Sequence, residues 1–251
     1  MKFLGIIPSR YASTRFPGKP LIDIHGKPMV QWVWENASRS LDEVWIATDD
    51  ERIYHAAKAF GGKVVMTSAA HPSGTDRCAE ALAKIEAETQ TRYDVVINIQ
   101  GDEPFVAVSH IETLKKCFGS DTQLATLAKK IESTAELTDP SVVKLVRNTH
   151  DEAIYFSRAA IPYYRGLTPE EWLTRHEYFR HLGMYAYRRE VLQALTKLSP
   201  SALEMAESLE QLRWLENGYK ITCGYTDIES GSIDTPEDLA NLLSTIHRFI
   251  E

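Results

Sequence analysis

Four short apolar runs, each followed by a polar loop, set the limits on what this chain can fold into. Phe3–Pro8, Val44–Thr48, Lys63–Met66 and Val95–Gln100 have the length and apolar content of strands buried on both faces. Between them, Pro28–Ser40, Glu51–Phe60 and Gly74–Glu88 carry apolar residues at helical spacing. Asp49-Asp50 offers an N-cap to the second of these stretches, and Gly61-Gly62 ends it. Strands separated by helices of about 10–15 residues are joined by crossovers rather than hairpins, so the sheet they build is parallel. The expected fold class is α/β: a doubly wound, mostly parallel, Rossmann-like sheet with a smaller mixed-sheet lobe.

The lobe is read from the second half. Leu124–Ile131, Val142–Arg147, Ala153–Ser157, Leu182–Tyr187 and Lys220–Tyr225 read as strands with fewer helices between them. Arg165–Phe179 reads as a loop with a short helix. Leu203–Glu216 reads as one amphipathic helix stopped at Gly218, with Glu207, Glu210 and Gln211 on one face. Pro236–Phe249 is the expected terminal helix, with Asp234 and Thr235 as capping candidates. No linker or repeat divides residues 1–251, which are expected to form one domain.

Charge and cysteine content narrow the partners. The 251 residues carry a net charge of −7, which argues against a general nucleic-acid or anionic-membrane binder. No stretch approaches the ~20 apolar residues of a membrane helix. Cys78, Cys117 and Cys223 are odd in number and far apart, so neither a disulfide framework nor a zinc site is expected. The N-terminal apolar run stops at Pro8, too short for a signal peptide, and a cytoplasmic location is expected.

Four loops carry the chemistry. Ile7 to Leu21 follows the first strand, and Arg10, Arg15 and Lys19 place three cations within ten residues. With its small hydroxyl residues and Gly18, this loop suits a triphosphate, although the spacing is not that of a Walker A loop. His71-Pro72-Ser73-Gly74-Thr75-Asp76-Arg77 opens a helix. Asn98-Ile99-Gln100-Gly101-Asp102-Glu103-Pro104 closes the fourth strand with carboxylates suited to a hard cation such as Mg²⁺. Gly231 to Leu239 contains Asp234, which on sequence alone reads as a helix cap.

Together these strings resemble the sugar nucleotidyltransferases, and in particular the cytidylyltransferases that activate 3-deoxy-manno-octulosonate (Kdo). The first loop matches R-Y-x-S-x-R-x-P-G-K-P-L, and the others match H-x-S-G-T-D-R, Q-G-D-E-P and D-T-P-E-D-L. Tyr155–Pro162, Arg180–Arg188 and Leu203–Arg213 are similar to further segments of the same family. The resemblance runs from Phe3 to about Leu239 and departs at Ser232, where relatives usually have glycine.

The resemblance implies CTP and Kdo as substrates and Mg²⁺ as cofactor. It assigns Pro8, Arg10, Arg15, Lys19, Ser73, Gly74, Gln100 and Gly101 to the nucleotide, and Asp102 and Asp234 to the metal. Arg10, Lys19, Asp102 and Asp234 are the implied catalytic set. Arg158, His181, Tyr185, Glu207, Glu210 and Gln211 are implied for the sugar, and the other histidines carry no functional signal. Residues 1–120 form the expected nucleotide half, 121–230 the sugar-binding and dimerisation half, and 231–251 the metal-ligand loop and terminal helix. A homodimer is expected. The alternatives are an enzyme for another acidic sugar (8-amino-Kdo or a sialic acid) and a non-catalytic nucleotide-binding regulator.

Overall fold

The chain enters its first sheet in the middle. In a computed structural model, which describes residues 1–12, 16–229 and 231–245, β1 (Phe3–Ser9) is followed by a hairpin of two short strands, β2 (Asp23–Ile24) and β3 (Lys27–Pro28). Then come α1 (Met29–Ala37), β4 (Val44–Thr48), α2 (Glu51–Ala59), β5 (Lys63–Met66), α3 (Gly74–Thr89) and β6 (Val95–Asn98). β1 pairs with β4 and β6, and β4 with β5, all parallel, in the order β6-β1-β4-β5. The chain therefore winds outward on one side of β1 and returns to the other side for β6. Such a reversal opens a crevice at the carboxyl ends of the two inner strands.

After α4 (Val108–Lys116), the chain continues through β7 (Leu124–Lys130), α5 (Thr134–Thr138), β8 (Lys144–Arg147), β9 (Ala153–Ser157), α6 (Pro169–Trp172) and β10 (Phe179–Arg188). It ends with α7 (Arg189–Leu195), α8 (Ala202–Glu207), α9 (Glu210–Glu216), β11 (Ile221–Tyr225) and α10 (Pro236–Thr245). β10 runs antiparallel to both β7 and β8, β9 is antiparallel to β8, and β11 is parallel to β7. The chain divides into two units: Met1–Glu112 with the described part of Glu229–Glu251, and Thr113–Ile228. The first holds the parallel strands and the second the mixed ones, as the alternation of strands and helices implies. Among the described residues, no helix is long and apolar enough to cross a membrane.

One expected element is corrected. The amphipathic stretch 203–216 is two helices, because Ser208 adopts a left-handed conformation at φ 54° and ends α8. Leu209 then starts α9 as its N-cap. Glu207 therefore does not share a helix face with Glu210 and Gln211. The apolar spacing of Leu209, Leu212 and Leu215 lies wholly after the break, and α8 buries none of its residues, so the periodicity carries no sign of where the first helix stops. The terminal helix is described only to Thr245; the expected continuation to Phe249 lies outside the described residues. Helices α4, α5 and α7 were not expected; each has fewer than ten residues, too short for helical spacing to repeat clearly.

In the first unit, a small apolar cluster anchors the segment after residue 230. Ile233 (1% exposed) is buried with Ile24, Met29 and Phe105, and Trp32 and Leu239 pack against it. Burial of such a side chain stabilises by roughly 1.5–3 kcal/mol. It fixes Asp234, the next residue, to the body of the unit. Ile233→Ala is expected to lower stability by about 2–5 kcal/mol, read as a fall in the denaturation midpoint. An unchanged midpoint would show that the cluster does not anchor the segment.

Candidate active site

The crevice at the carboxyl ends of β1 and β6 is a cavity of about 390 Å³, within the size range of small-ligand sites. Its walls come from four places: Pro8, Ser9 and Arg10 after β1; Lys19 and Pro20; the segment His71–Gly74 with Arg77; and Gln100, Gly101 and Asp102 after β6, with Asp234 beside them. The loops singled out in the sequence thus converge on one cavity. Arg15 lies outside the described residues.

Two glycines make the convergence possible. Gly18 has φ 74° and donates its N–H to the Tyr11 carbonyl, closing the loop just before a single 3₁₀ turn that begins at Lys19. A Cβ on Gly101 would stand 2.9 Å from the Pro8 carbonyl oxygen and 3.1 Å from Ser9 Oγ. Only glycine lets the end of β6 approach the end of β1 this closely.

At the centre, the Lys19 ammonium donates to Asp102 Oδ2 (2.9 Å) and to Asp234 Oδ1 (3.0 Å). The lysine side chain is 12% exposed and the two carboxylates are half-buried. The two aspartates are remote in sequence and are joined through the backbone as well, since Ile233 N–H donates to the Asp102 carbonyl at 2.9 Å. Ser232 does not prevent that contact. The capping role that sequence offered to Asp234 falls to its neighbour: Thr235 Oγ1 accepts from Asp238 N–H, and Asp238 Oδ2 accepts from the N–H groups of both Asp234 and Thr235. The Asp234 carboxylate is thereby released to face Lys19.

The pair also fits a divalent cation. Two carboxylates already hold one positive charge between them, so the ammonium acts as a stand-in ion. Among the described residues, no group of three or more His, Cys, Asp or Glu forms a cage. Two carboxylates without a cage suit a hard ion that keeps waters and takes phosphate oxygens, such as Mg²⁺.

The remaining wall is built by the start of α3. Ser73 is its N-cap, accepting from Asp76 N–H and donating to Asp76 Oδ2 (2.6 Å). Arg77 is buried; it donates to Thr67 Oγ1 (2.6 Å) and Asp49 Oδ2 (2.9 Å), which ties α3 to the ends of β4 and β5. Sequence reasoning gave no role to His71, yet it lines the cavity and is engaged by Glu80 on α3. Its place in the H-x-S-G-T-D-R string was the available signal. Glu80 also accepts from Ser68 N–H and pairs with Lys84. Burial pushes the Glu80 carboxyl up, but Lys84, Ser68 N–H and His71 outweigh it and hold it at about 2.

The sugar candidates lie in the second unit. Glu207 closes α8 onto the end of β9: its carboxylate accepts from Ser157 Oγ (2.6 Å) and Arg158 N–H (2.9 Å), and its carbonyl accepts from Arg158 Nε (2.8 Å). Burial works against the Glu207 carboxylate, but the Arg158 N–H and Ser157 hydroxyl prevail and hold it below its ordinary value. His181 Nε2 lies 2.8 Å from Thr126 Oγ1, and its ring packs edge-on against Phe156 and tilted against Tyr185. Burial, with Arg180 adding to it, lowers the His181 pKa to about 3, so the ring is neutral near pH 7 and suits hydroxyls rather than a carboxylate. Tyr185 and Gln211 are buried, and Glu210 accepts from Arg213 (3.0 Å).

The sequence profile of the cytidylyltransferase family matches residues 4–221. A 3-deoxy-manno-octulosonate cytidylyltransferase of Parabacteroides distasonis is 57% identical over 249 residues, covering 97% of this chain and 98% of its own. The protein of the same name from Bacteroides thetaiotaomicron is 56% identical over 95% of this chain and 96% of its own. A solved CMP:2-keto-3-deoxy-manno-octonic acid synthetase complexed with CTP superposes with a TM-score of 0.89 at 43% identity, covering 99% of both chains. A 4-diphosphocytidyl-2C-methyl-D-erythritol synthase from Anaerococcus prevotii shares the fold alone, at 14% identity and a TM-score of 0.58 over 98% of this chain and 99% of its own.

The cavity wall carries its own pH signature. A carboxyl held at about 2 instead of its ordinary 4.5 adds stability above 4.5 that is lost as pH falls toward 2. Glu80→Gln is expected to remove that part of the acid sensitivity. Denaturation midpoints measured from pH 5 to pH 2 should converge for variant and wild type; a constant offset would exclude the depressed carboxyl.

Proposed function

The chain belongs to the 3-deoxy-manno-octulosonate cytidylyltransferase family, and from that premise we propose that it joins CTP and Kdo to give CMP-Kdo and pyrophosphate. CMP-Kdo is the activated sugar for lipopolysaccharide. The observation that carries the reading is the Lys19 ammonium between Asp102 and Asp234, in a cavity walled by the loops that define the family.

In the proposed reaction, the oxygen of the sugar's anomeric hydroxyl attacks the α-phosphorus in line. A new phosphorus–oxygen bond forms, the bond to the β-phosphate oxygen breaks, and the hydroxyl proton is released. Charge neutralisation and positioning supply most of the rate in transfers of this kind. Arg10 and Lys19 line the cavity and fit the triphosphate and the departing pyrophosphate, with Arg15 assigned to the same task, while Arg77 in the same wall is engaged by Thr67 and Asp49. Pro8, Ser73, Gly74, Gln100 and Gly101 shape the wall against the nucleotide. Asp102 and Asp234 would hold Mg²⁺, which when bound offsets the charge of the phosphates and favours the ionised hydroxyl. Arg158, a permanent cation, is assigned to the sugar carboxylate. The neutral His181 is assigned to sugar hydroxyls, along with Tyr185, Glu207, Glu210 and Gln211. The reading includes a cytoplasmic location and a homodimer; Ile154, Tyr163 and Met205 of the second unit are exposed apolar side chains that a subunit contact could cover.

The test is pyrophosphate release from CTP with Mg²⁺ and a panel of acidic sugars. Release with Kdo is expected. Release with a sialic acid but not with Kdo would overturn the substrate, and no release with any acidic sugar would overturn the enzyme. Asp102→Asn is expected to lower turnover by at least about 100-fold with the circular-dichroism spectrum unchanged. Near-normal turnover would remove Asp102 from the reaction.

A further inference from the structure

Lys144 is buried in the second unit with 0% exposure. Among the described residues its ammonium makes no hydrogen bond to a carboxylate; it donates instead to two backbone carbonyls of the preceding turn, Asp139 O at 2.8 Å and Val142 O at 2.5 Å. The carbonyl between them in sequence, Pro140 O, accepts from Arg158 Nη1 at 3.1 Å. One turn is therefore held by two cations. In the sheet, Lys144 stands opposite Ser157 of β9 on one side and Arg180 of β10 on the other, and His181 N–H donates to the Val143 carbonyl at 2.8 Å. The lysine thus lies between β9, which ends one residue before Arg158, and the strand that carries His181.

A strand position enclosed on both sides is filled at less cost by an apolar residue, because a buried ammonium loses its hydration. Burial does pull the Lys144 ammonium below its usual range; Asp139 opposes this and Arg158 adds to it. What the charge provides is convergence: one ammonium with several donors draws the Asp139 and Val142 carbonyls inward, and the Pro140 carbonyl of the same turn is left to Arg158 as a fixed acceptor. Glu207 fixes the same guanidinium from the other side.

We propose that Lys144 is a positioning residue for sugar binding, which holds the 139–142 turn and through it the guanidinium of Arg158. The inference rests on the assignment of Arg158 to the acidic sugar. Lys144→Met keeps an unbranched side chain, one atom shorter, and removes the charge. It is expected to raise KM for Kdo about 10- to 100-fold, as small misplacements of a binding group do, with KM for CTP and kcat within about twofold of wild type. CTP binding, followed by the quenching of protein fluorescence, reports on the fold of the variant. Loss of CTP binding together with sugar binding would overturn the proposal, because Lys144 would then support the whole fold rather than the sugar site. Arg158→Gln, assayed in parallel, separates the two readings. If it leaves KM for Kdo unchanged, the assignment of Arg158 fails and the inference fails with it. If it raises KM for Kdo while Lys144→Met does not, the inference alone fails.

Discussion

The parallel sheet of the first unit reverses its winding at β1, and the functional geometry depends on that reversal. The chain leaves β1 for β4 and β5 on one side and comes back for β6 on the other. The connections that follow β1 and β6 then depart in opposite directions and leave a crevice between them. Two backbone requirements turn the crevice into a site. Gly101 lets the end of β6 approach Pro8 and Ser9, and Gly18 closes the loop just before Lys19.

Within that crevice, electrostatics sets the arrangement. Two half-buried carboxylates from distant parts of the chain would repel each other, and the Lys19 ammonium between them offsets that repulsion. Removing one member of such a triad costs more than the net worth of the pairs, because it leaves a partly desolvated charge without a partner. The capping of α10 by Thr235 and Asp238 belongs to the same arrangement. If Asp234 capped its own helix, its carboxylate would be spent on backbone N–H groups. The burial of Ile233 holds the segment in place by apolar packing, so position and charge are supplied by adjacent residues with different physics.

The second unit solves a related problem with backbone carbonyls. Glu207 draws β9 and α8 together through Ser157 and Arg158, and Lys144 gathers the 139–142 turn beneath the same arginine. Neither arrangement has a periodic signature. Glu207 reaches Arg158 because Ser208 breaks the helix, and Ser208 breaks it although nothing in Glu-Ser-Leu-Glu marks a stop. Leu209 and Leu212 are buried beyond the break, whereas α8 before it buries none of its residues, so the apolar face read along the whole stretch belongs to α9.

The sequence by itself determined the parallel sheet and the sites of its loops. Strand β4 begins at Val44 and ends at Thr48, and β5 at Lys63 and Met66, as their apolar runs imply. Short buried strands and intervening helices are local patterns, and the crossover rule turns them into topology. The motif strings located Lys19, Asp102 and Asp234, although composition alone left Asp234 as a helix cap. Tertiary structure decided what each side chain faces. It gave the cap to Thr235 and the carboxylate to Lys19, brought His71 into the cavity wall, and buried Lys144 among carbonyls. Those outcomes depend on contacts between residues far apart in the chain, such as the 2.9 Å hydrogen bond from Ile233 to Asp102. Local periodicity cannot encode them, because it records only which face of an element is apolar and not what that face meets.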